Sequence, residues 1–260
     1  MNQERTKYKI TFLGTGTSLG VPMIGCDCEV CTSNNSKDKR LRSSVLIEVN
    51  GKTILIDAGP DFRQQMLAQN IKDLDAILLT HEHSDHVLGL DDVRSLNWIH
   101  KKAMPVYAEK RVNDEIQERF FYAFSEKKYP GVPEYDLVNI SVEPFQLFDI
   151  KIEPIRVYHH KLPVLGFRIN DFVYITDASY IEDVEMDKLK NTRHLVINGL
   201  RYEEHISHYT ITEAIEVIKR VKPETAWITH ISHQLGLHDV VQNNLPESIN
   251  LAYDGLCLEW

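Results

Sequence analysis

Three histidines and an aspartate fall within six residues of the sequence, at His81, His83, Asp85 and His86. They directly follow the apolar run 76–79, which predicts a buried strand. His81 and His83 are two positions apart, so an extended backbone directs both imidazoles to the same side. Because imidazole and carboxylate groups suit zinc, manganese or iron, the pattern predicts a metal site at the end of this strand.

Three of the four cysteines, Cys26, Cys28 and Cys31, are clustered near the start of the chain. In a cytosolic protein such clustering indicates a metal rather than a disulfide. Three thiolates can hold one tetrahedral ion, but one coordination position is left to fill, and we expect that ligand from elsewhere in the chain. Free buried cysteines are the alternative. Cys257 is expected to lie inside the last strand and to be inert.

The chain has 260 residues, 43% of them apolar, and a formal net charge of −9. This length fits one large domain, and we predict a single domain over residues 1–260. The polar start of the chain does not resemble a signal peptide, and no run is long enough to span a membrane, so we expect a cytoplasmic protein. The negative charge argues against nucleic acid as a partner but not against a small phosphorylated substrate, which Arg40 or Arg42 could meet.

Apolar runs and turn residues predict a mixed α/β chain. The expected strands are 9–13, 43–49, 52–56, 76–79, 106–107, 140–148, 150–157, 172–175, 194–197, 225–229 and 252–260. The expected helices are 61–69, 89–100, 112–124 and 210–221. Residues 125–138 contain two prolines and no clear period, so a loop is expected there.

The pattern His81-x-His83-x-Asp85-His86 matches the signature of the metallo-β-lactamase superfamily, and residues 13–16 resemble its opening L-G-T-G segment. The C-x-C-x-x-C insert resembles one subgroup, which includes the phosphoribosyl 1,2-cyclic phosphate phosphodiesterase of the carbon–phosphorus lyase pathway. The resemblance covers nearly the whole chain. It implies an αββα sandwich, the metallo-hydrolase fold.

The resemblance also implies two divalent metal ions, zinc or manganese, in one active site. It assigns one ion to His81, His83 and His159, the other to Asp85, His86 and His230, and Asp177 to both ions as a bridge. His160 is the alternative to His159, because the two histidines are adjacent at the end of a predicted strand.

Further roles follow from the same resemblance. His233 would complete a structural zinc site with the three cysteines, and Asp57 would orient a histidine ligand, unless it caps the helix that follows. His208 would donate a proton to the leaving group and, with Asp85, forms the candidate catalytic set. His205 is the alternative proton donor, and a packing or capping role is the alternative for His208.

The implied reaction is metal-assisted hydrolysis by a hydroxide that bridges the two ions. A small cyclic or nucleotide-like phosphodiester is the expected substrate. The first alternative is a protein like the B-type factor of pyrroloquinoline quinone biosynthesis. The second is a tRNA 3′-processing type of endonuclease without its long basic arm. No membrane partner is expected, and a homodimer is compatible with the family, whose members are often dimeric.

Overall fold

The structure, a computed structural model, describes residues 7–260. Residues 1–6, which form most of the polar start of the chain, lie outside the described residues. Within residues 7–260, no helix has the length and apolar character that a membrane crossing requires.

Strands make up most of the regular structure of the described chain. They are β1 (Tyr8–Gly14), β2 (Ser44–Val49), β3 (Lys52–Ile56), β4 (Ala76–Leu78), β5 (Met104–Glu109), β6 (Tyr135–Ile140), β7 (Phe145–Leu147), β8 (Ile150–His159), β9 (Leu162–Ile169), β10 (Phe172–Tyr174), β11 (His194–Asn198), β12 (Thr225–Thr229), β13 (Ile249–Leu251) and β14 (Cys257–Glu259).

The helices are shorter and lie between these strands. They are α1 (Glu29–Thr32), α2 (Phe62–Ala68), α3 (Ser84–Val87), α4 (Arg94–His100), α5 (Lys110–Arg119), α6 (Phe121–Phe124), α7 (Asp183–Met186), α8 (Ile211–Val221) and α9 (His238–Gln242). Single 3₁₀ turns occur at Ser36–Asp38, Leu88–Val93, Asp187–Leu189 and His233–Leu235.

The described chain forms two compact units, each built on its own seven-stranded sheet. The first unit contains residues 7–14, 44–140 and 255–260, and the second contains residues 15–43 and 141–254. Each unit is assembled from separate stretches of sequence. The single domain predicted for residues 1–260 stays a prediction.

The sheet of the first unit has the order β14-β1-β2-β3-β4-β5-β6. The strands from β14 to β3 pair antiparallel, and those from β3 to β6 pair parallel. β2 and β3, which the sequence predicts as strands 43–49 and 52–56, form a hairpin in which Asn50 and Gly51 both have positive φ, at 52° and 71°. This is the backbone of the tight turn that an Asn-Gly pair favours.

The apolar core of the first unit lies under α2, α4 and α5. It includes Phe62, Ile77, Val112 and Ile116, all of which are buried. The predicted helix 112–124 is interrupted at Phe120, where α5 ends and the short α6 begins. The predicted loop 125–138 is wrong at its end, because Tyr135–Ile140 pairs with β5 as strand β6.

The sheet of the second unit has the order β13-β12-β11-β10-β9-β8-β7. Here β10 to β13 are parallel and β7 to β10 are antiparallel. α8 packs its apolar face on this unit's core, with Ile211 and Ala214 buried. The helix begins with a capping box, in which the Thr210 hydroxyl and the Glu213 carboxylate each bind the other's backbone N–H.

Two edges of the sheets differ from the sequence prediction. Of the predicted strand 140–148, only Phe145–Leu147 forms β7, and β13 has no counterpart in the prediction. Cys257 lies in the last strand, β14, as predicted, and its side chain is exposed on this edge strand. An edge strand has only one neighbour, so its residues lose less contact with water than those of a central strand.

Candidate metal centre

The predicted ligands of the first unit lie between the end of β4 and α3. His81 and His86 are fully buried, whereas His83 is exposed and Asp85 is partly buried. The ring centroid of His81 lies 4.6 Å from that of His83 and 4.3 Å from that of His86. The Asp85 carboxylate is 3.2 Å from His86 Nε2. The four side chains of the motif therefore form one cluster.

Asp57 supports this cluster from the end of β3. Its carboxylate is fully buried and accepts a hydrogen bond from His86 Nδ1 at 2.7 Å and from the backbone N–H of Thr80 at 2.9 Å. Burial raises the pKa of Asp57, and the contact with His86 opposes that rise. The residue at the N-cap position of α2 is Asp61, so Asp57 does not cap that helix.

A close approach of two loops holds Asp57 beside the ligands. The backbone N–H of Gly89 donates to Ala58 O at 2.9 Å, and the N–H of Ala58 donates to His86 O at 2.8 Å. A Cβ at position 89 would lie 2.5 Å from the Cβ of Phe62 and closer still to the carbonyl oxygen of Gly59. Position 89 therefore requires glycine because a larger side chain has no space there. Backbone conformation is not the reason, since the φ of Gly89 is not positive.

The predicted ligands of the second unit lie at the ends of β8, β10 and β12. Nitrogen or oxygen atoms of His159, Asp177 and His208 lie within 4.8 Å of one another. The His230 ring stacks on that of His208 with a centroid distance of 4.7 Å, and His230 Nδ1 is 3.2 Å from the Asp177 carboxylate. These four side chains make a second cluster, and His208 belongs to it.

The structure separates His159 from its neighbour His160. His159 Nδ1 donates to Ser207 O at 2.8 Å, which leaves Nε2 with a lone pair for a metal. His160 is exposed, has a φ of 56°, and donates its backbone N–H to Ser179 Oγ at 3.0 Å. Of the two histidines, only His159 is in the ligand cluster.

Asp177 and His230 both have left-handed backbone, with φ of 57° and 55°, and Asp57 has a φ of 64°. This conformation costs an ordinary L-residue about 1–2 kcal/mol, so the surrounding contacts must hold it. Asn198, fully buried at the end of β11, makes such contacts. Its side-chain amide accepts from the N–H of Ala178 at 2.8 Å and donates to the carbonyl oxygen of Ala178 at 2.9 Å.

Hydroxyl groups lie around the imidazole of His230, among them those of Ser43 and Thr17. Ser43 Oγ donates to Gly16 O at 3.0 Å and lies 3.2 Å from His230 Nδ1. Thr17 Oγ1 is 3.3 Å from His230 Nε2. Sequence reasoning missed these two residues and Asn198, because a lone serine, threonine or asparagine carries no spacing signal.

His208 lies in the interior, whereas His205 is exposed beside it with its ring centroid 5.0 Å away. Burial, together with the nearby His230 imidazole, lowers the pKa of His208 to about 2, so this imidazole is neutral at pH 7. Its Nδ1 atom is buried and has no hydrogen-bond partner among residues 7–260. A buried nitrogen of this kind is available to a ligand that the cluster holds.

The cysteine cluster is also assembled, entirely within the second unit. Ligand atoms of Cys26, Cys28, Cys31 and His233 lie within 4.8 Å of one another. The backbone N–H of Cys31 and the imidazole of His233 lower the pKa of Cys28 to about 6, which favours its thiolate, while burial raises the pKa of Cys31 to about 11. Three sulfurs and one imidazole are a donor set suited to tetrahedral zinc.

A buried network of charged groups lies in the same unit. Arg40 Nη1 donates to Thr15 Oγ1 at 2.8 Å, and Arg40 Nη2 lies 3.0 Å from His238 Nδ1. Asp254 accepts from Thr15 Oγ1 at 2.8 Å and from the N–H of Leu41 at 2.6 Å. Arg40 is buried among these partners, which corrects the expectation that it could meet a substrate.

Two arginines of α5 border the ligand loop of the first unit. Arg111 forms an ion pair with Glu82, which lies between His81 and His83 in the sequence. Arg119 donates to Ser84 Oγ at 3.3 Å and pairs with Glu115 at 2.7 Å. Each of the two guanidinium groups therefore has a glutamate partner.

The donor chemistry of all three clusters fits metal ions. Imidazole and carboxylate groups suit zinc or manganese, and the sulfur-rich cluster suits zinc. The buried imidazoles of His81 and His86 lie side by side, and the His159 ring lies 4.5 Å from that of His208. Neighbouring imidazoles of this kind are common ligands of a metal cation.

The chain belongs to the β-lactamase superfamily, since residues 52–231 match the model of the beta-lactamase superfamily domain. The crystal structure of a new diphosphatase from the PhnP family is 39% identical to it, with a TM-score of 0.92 over 98% of this chain and 97% of that chain. These findings confirm the predicted superfamily and its PhnP-like subgroup, and they confirm the α/β metallo-hydrolase fold. They also support a hydrolase.

Two further relatives are informative. Octanoyltransferase of Porphyromonas gingivalis (strain ATCC BAA-308 / W83) is 47% identical over 247 residues, which are 94% of this chain and 50% of that protein. The chain therefore spans about half the length of that relative. The 1.98-ångström crystal structure of Zn²⁺-bound PqqB from Methylobacterium extorquens is 17% identical, with a TM-score of 0.80 over 96% of this chain and 99% of that chain. That likeness shows the fold alone.

Proposed function

We propose that the protein is a binuclear metal-dependent hydrolase that acts on small phosphodiesters. One divalent ion, zinc or manganese, would be held by His81, His83 and His159. The other would be held by Asp85, His86 and His230, with Asp177 as the ligand common to both. The observation that carries the proposal is that each unit contains a cluster made only of imidazoles and carboxylates.

The side chains of this site have separate tasks. Asp57 accepts the Nδ1 hydrogen of His86, and the carbonyl oxygen of Ser207 accepts that of His159. Both contacts keep the Nε2 atom of the histidine available for a metal. The bound ions would supply an activated water and offset the negative charge of the phosphoryl group. A bound phosphoryl group would raise the pKa of the neighbouring His208 imidazole, and the protonated His208 would then give a proton to the leaving oxygen, as general acids do.

We propose a separate structural role for the cysteine cluster. A zinc ion on Cys26, Cys28, Cys31 and His233 would connect the loop after β1 to the turn after β12. The small apolar cluster of Val21, Val30 and Cys31 lies in the same loop, with the partly buried Cys26 and Cys28 packed against it. An ion with four protein ligands has no open position for chemistry.

A small substrate fits the sequence better than a nucleic acid. The chain carries a net charge of −9. Its sequence contains no long glycine-rich basic arm of the kind that tRNA-processing endonucleases of this superfamily use. A substrate with one or two phosphoryl groups needs only the metal ions to neutralise it.

Hydrolysis of a diphosphate linkage is a second candidate. The likeness to the PhnP-family diphosphatase, at 39% identity over nearly the whole chain, favours it. Both reactions displace an oxygen from phosphorus, so one arrangement of metals and proton donor can serve either. Octanoyl transfer is less well supported, because the match covers only 50% of the relative that carries that name.

A substrate panel with counted metals tests the proposal. The panel contains bis(p-nitrophenyl) phosphate, a ribose cyclic phosphate, a dinucleoside diphosphate, a precursor tRNA and an octanoyl thioester. We expect turnover of a phosphodiester that stops in EDTA and returns with manganese or zinc. Faster turnover of the dinucleoside diphosphate would favour the second candidate. Full metal occupancy without turnover of any phosphorus ester would contradict both.

A pair of adjacent histidines provides the matched control. His159→Gln should lose active-site metal and activity, because His159 is in the ligand cluster. His160→Gln should keep both, because that side chain is exposed and outside the cluster. Equal losses in the two variants would show that the assignment of His159 is wrong.

A further inference from the structure

The side chain of Thr80 lies between Asp57 and His81. Thr80 lies two residues after the end of β4 and is fully buried, as are Asp57 and His81. Its Oγ1 atom lies 2.9 Å from Asp57 Oδ2, 3.1 Å from Asp57 Oδ1 and 2.9 Å from His81 Nδ1. The hydroxyl group therefore contacts both the carboxylate and the imidazole.

Counting hydrogens fixes the direction of these contacts. A threonine hydroxyl has one hydrogen to donate and two lone pairs. An ionised carboxylate only accepts, and Asp57 already receives His86 Nδ1–H and the backbone N–H of Thr80. The Thr80 hydrogen must then point to Asp57, so the hydroxyl presents a lone pair to His81. That lone pair requires a hydrogen on His81 Nδ1.

We propose that Thr80 is a positioning residue that sets the tautomer of His81. With the hydrogen on Nδ1, the lone pair of His81 is on Nε2, where a metal ion can bind it. Asp57 thus orients two ligands, His86 by direct contact and His81 through the Thr80 hydroxyl. The proposal rests on the metal site of the proposed function, but the tautomer can be measured in the metal-free protein.

Burial makes the hydroxyl hard to replace. If the Thr80 hydroxyl is removed, the buried groups that it contacts cannot form a hydrogen bond to bulk water instead. Thr80→Val has nearly the same shape and keeps the backbone N–H that binds Asp57, so it removes only the hydroxyl. Thr80→Ser restores the hydroxyl and removes only a methyl group.

Thr229 provides a control at a matching place in the second unit. It is the last residue of β12, is fully buried, and directly precedes the ligand His230, as Thr80 precedes His81. Its hydroxyl has no hydrogen-bond partner among residues 7–260. Thr229→Val therefore removes a buried hydroxyl from the same type of position without removing a hydrogen bond.

Two measurements test the proposal. Imidazole ¹⁵N and ¹H NMR of the metal-free protein should show His81 as the Nδ1–H tautomer in the wild type and in Thr80→Ser. Competition with a chelator should show active-site metal affinity about 10–100-fold lower in Thr80→Val. Thr80→Ser and Thr229→Val should stay within about threefold of the wild type.

Several results would overturn the proposal. One is an Nε2–H tautomer of His81 in the wild type, and another is unchanged tautomer and affinity in Thr80→Val. An equal loss in Thr80→Ser would show that packing matters rather than the hydroxyl. If the wild type binds no active-site metal, the proposed function fails, and the NMR measurement still decides the role of Thr80.

Discussion

The Nδ1 atom of His233 lies 3.2 Å from the Sγ atom of Cys28, although 205 positions separate the two residues in the sequence. His233 follows the proposed ligand His230 by three positions. The loop that carries the cysteines and the turn that carries His230 are thus joined by one small cluster. The order of that cluster should influence the position of His230.

Cys28→Ser should remove one zinc ion per chain and destabilise the protein. Serine is a poor ligand for zinc. Loss of a structural metal also removes the free energy of folding that its binding supplied. We expect a loss of roughly 3 kcal/mol or more in the free energy of unfolding. Elemental analysis and thermal unfolding measure the two effects. Cys257→Ser, at an exposed cysteine outside the cluster, should change neither.

His208→Ala should lower phosphodiester turnover by about 10²–10⁴-fold, the usual contribution of a general acid. If His208 acts only as a proton donor, the metal content should stay unchanged. His208 atoms lie within 4.8 Å of those of His159 and Asp177, so metal content is a necessary second measurement. A fall in bound metal would make His208 a ligand. His205→Ala, at the exposed neighbour, should have a much smaller effect on turnover.

Gly89→Ala should destabilise the protein by about 3 kcal/mol, because overpacking a tight contact forces the backbone to shift. The new Cβ would meet Phe62 and the carbonyl oxygen of Gly59, beside the segment that carries Asp57. Gly131→Ala is the matched control. Gly131 has a φ of 90° and open space around it, so only backbone strain of about 1 kcal/mol is expected. Chemical denaturation compares the two losses.

His238 and Asp254, which both lie near Arg40, should give opposite pH dependences of stability. Burial and the charge of Arg40 lower the pKa of His238 from 6.5 to about 4, so its contribution is full above pH 6.5 and is lost as the pH falls toward 4. Burial raises the pKa of Asp254 from 3.8 to about 6, so its contribution is full below pH 3.8 and is lost as the pH rises through 6.

Single substitutions should separate these two contributions. Relative to the wild type, His238→Asn should lose less stability as the pH falls from 6.5 to 4. Asp254→Asn should lose less as the pH rises from 4 to 6. Unfolding in urea at intervals of half a pH unit gives both difference curves. Parallel curves for all three proteins would contradict the assignment of these shifts to the two residues.

The sequence predicted most of the strands because their signals are local. The apolar run before His81 and the Asn50-Gly51 turn each describe a complete element, and both are present. The end of the helix predicted at 112–124 was harder to predict. The apolar spacing continues through Phe120, whereas the helical backbone is interrupted at that residue. The strand Tyr135–Ile140 was missed because it lies on a sheet edge, where alternation is weak.

The candidate site was likewise predicted only where its residues have a local sequence signal. His81, His83, Asp85 and His86 were visible as one short motif. Thr80, Ser43 and Asn198 were not visible, because their importance depends on which backbone or imidazole they contact in the folded chain. A single hydroxyl or amide has many uses, and only the assembled structure selects one of them.

Asp57, Asp177 and His230 all have left-handed backbone, which glycine adopts without steric strain. Directed evolution for heat resistance alone would therefore tend to collect glycine at these positions. The resulting chains would be robust and inert. Any engineering campaign on this scaffold should select for bound metal and for survival together.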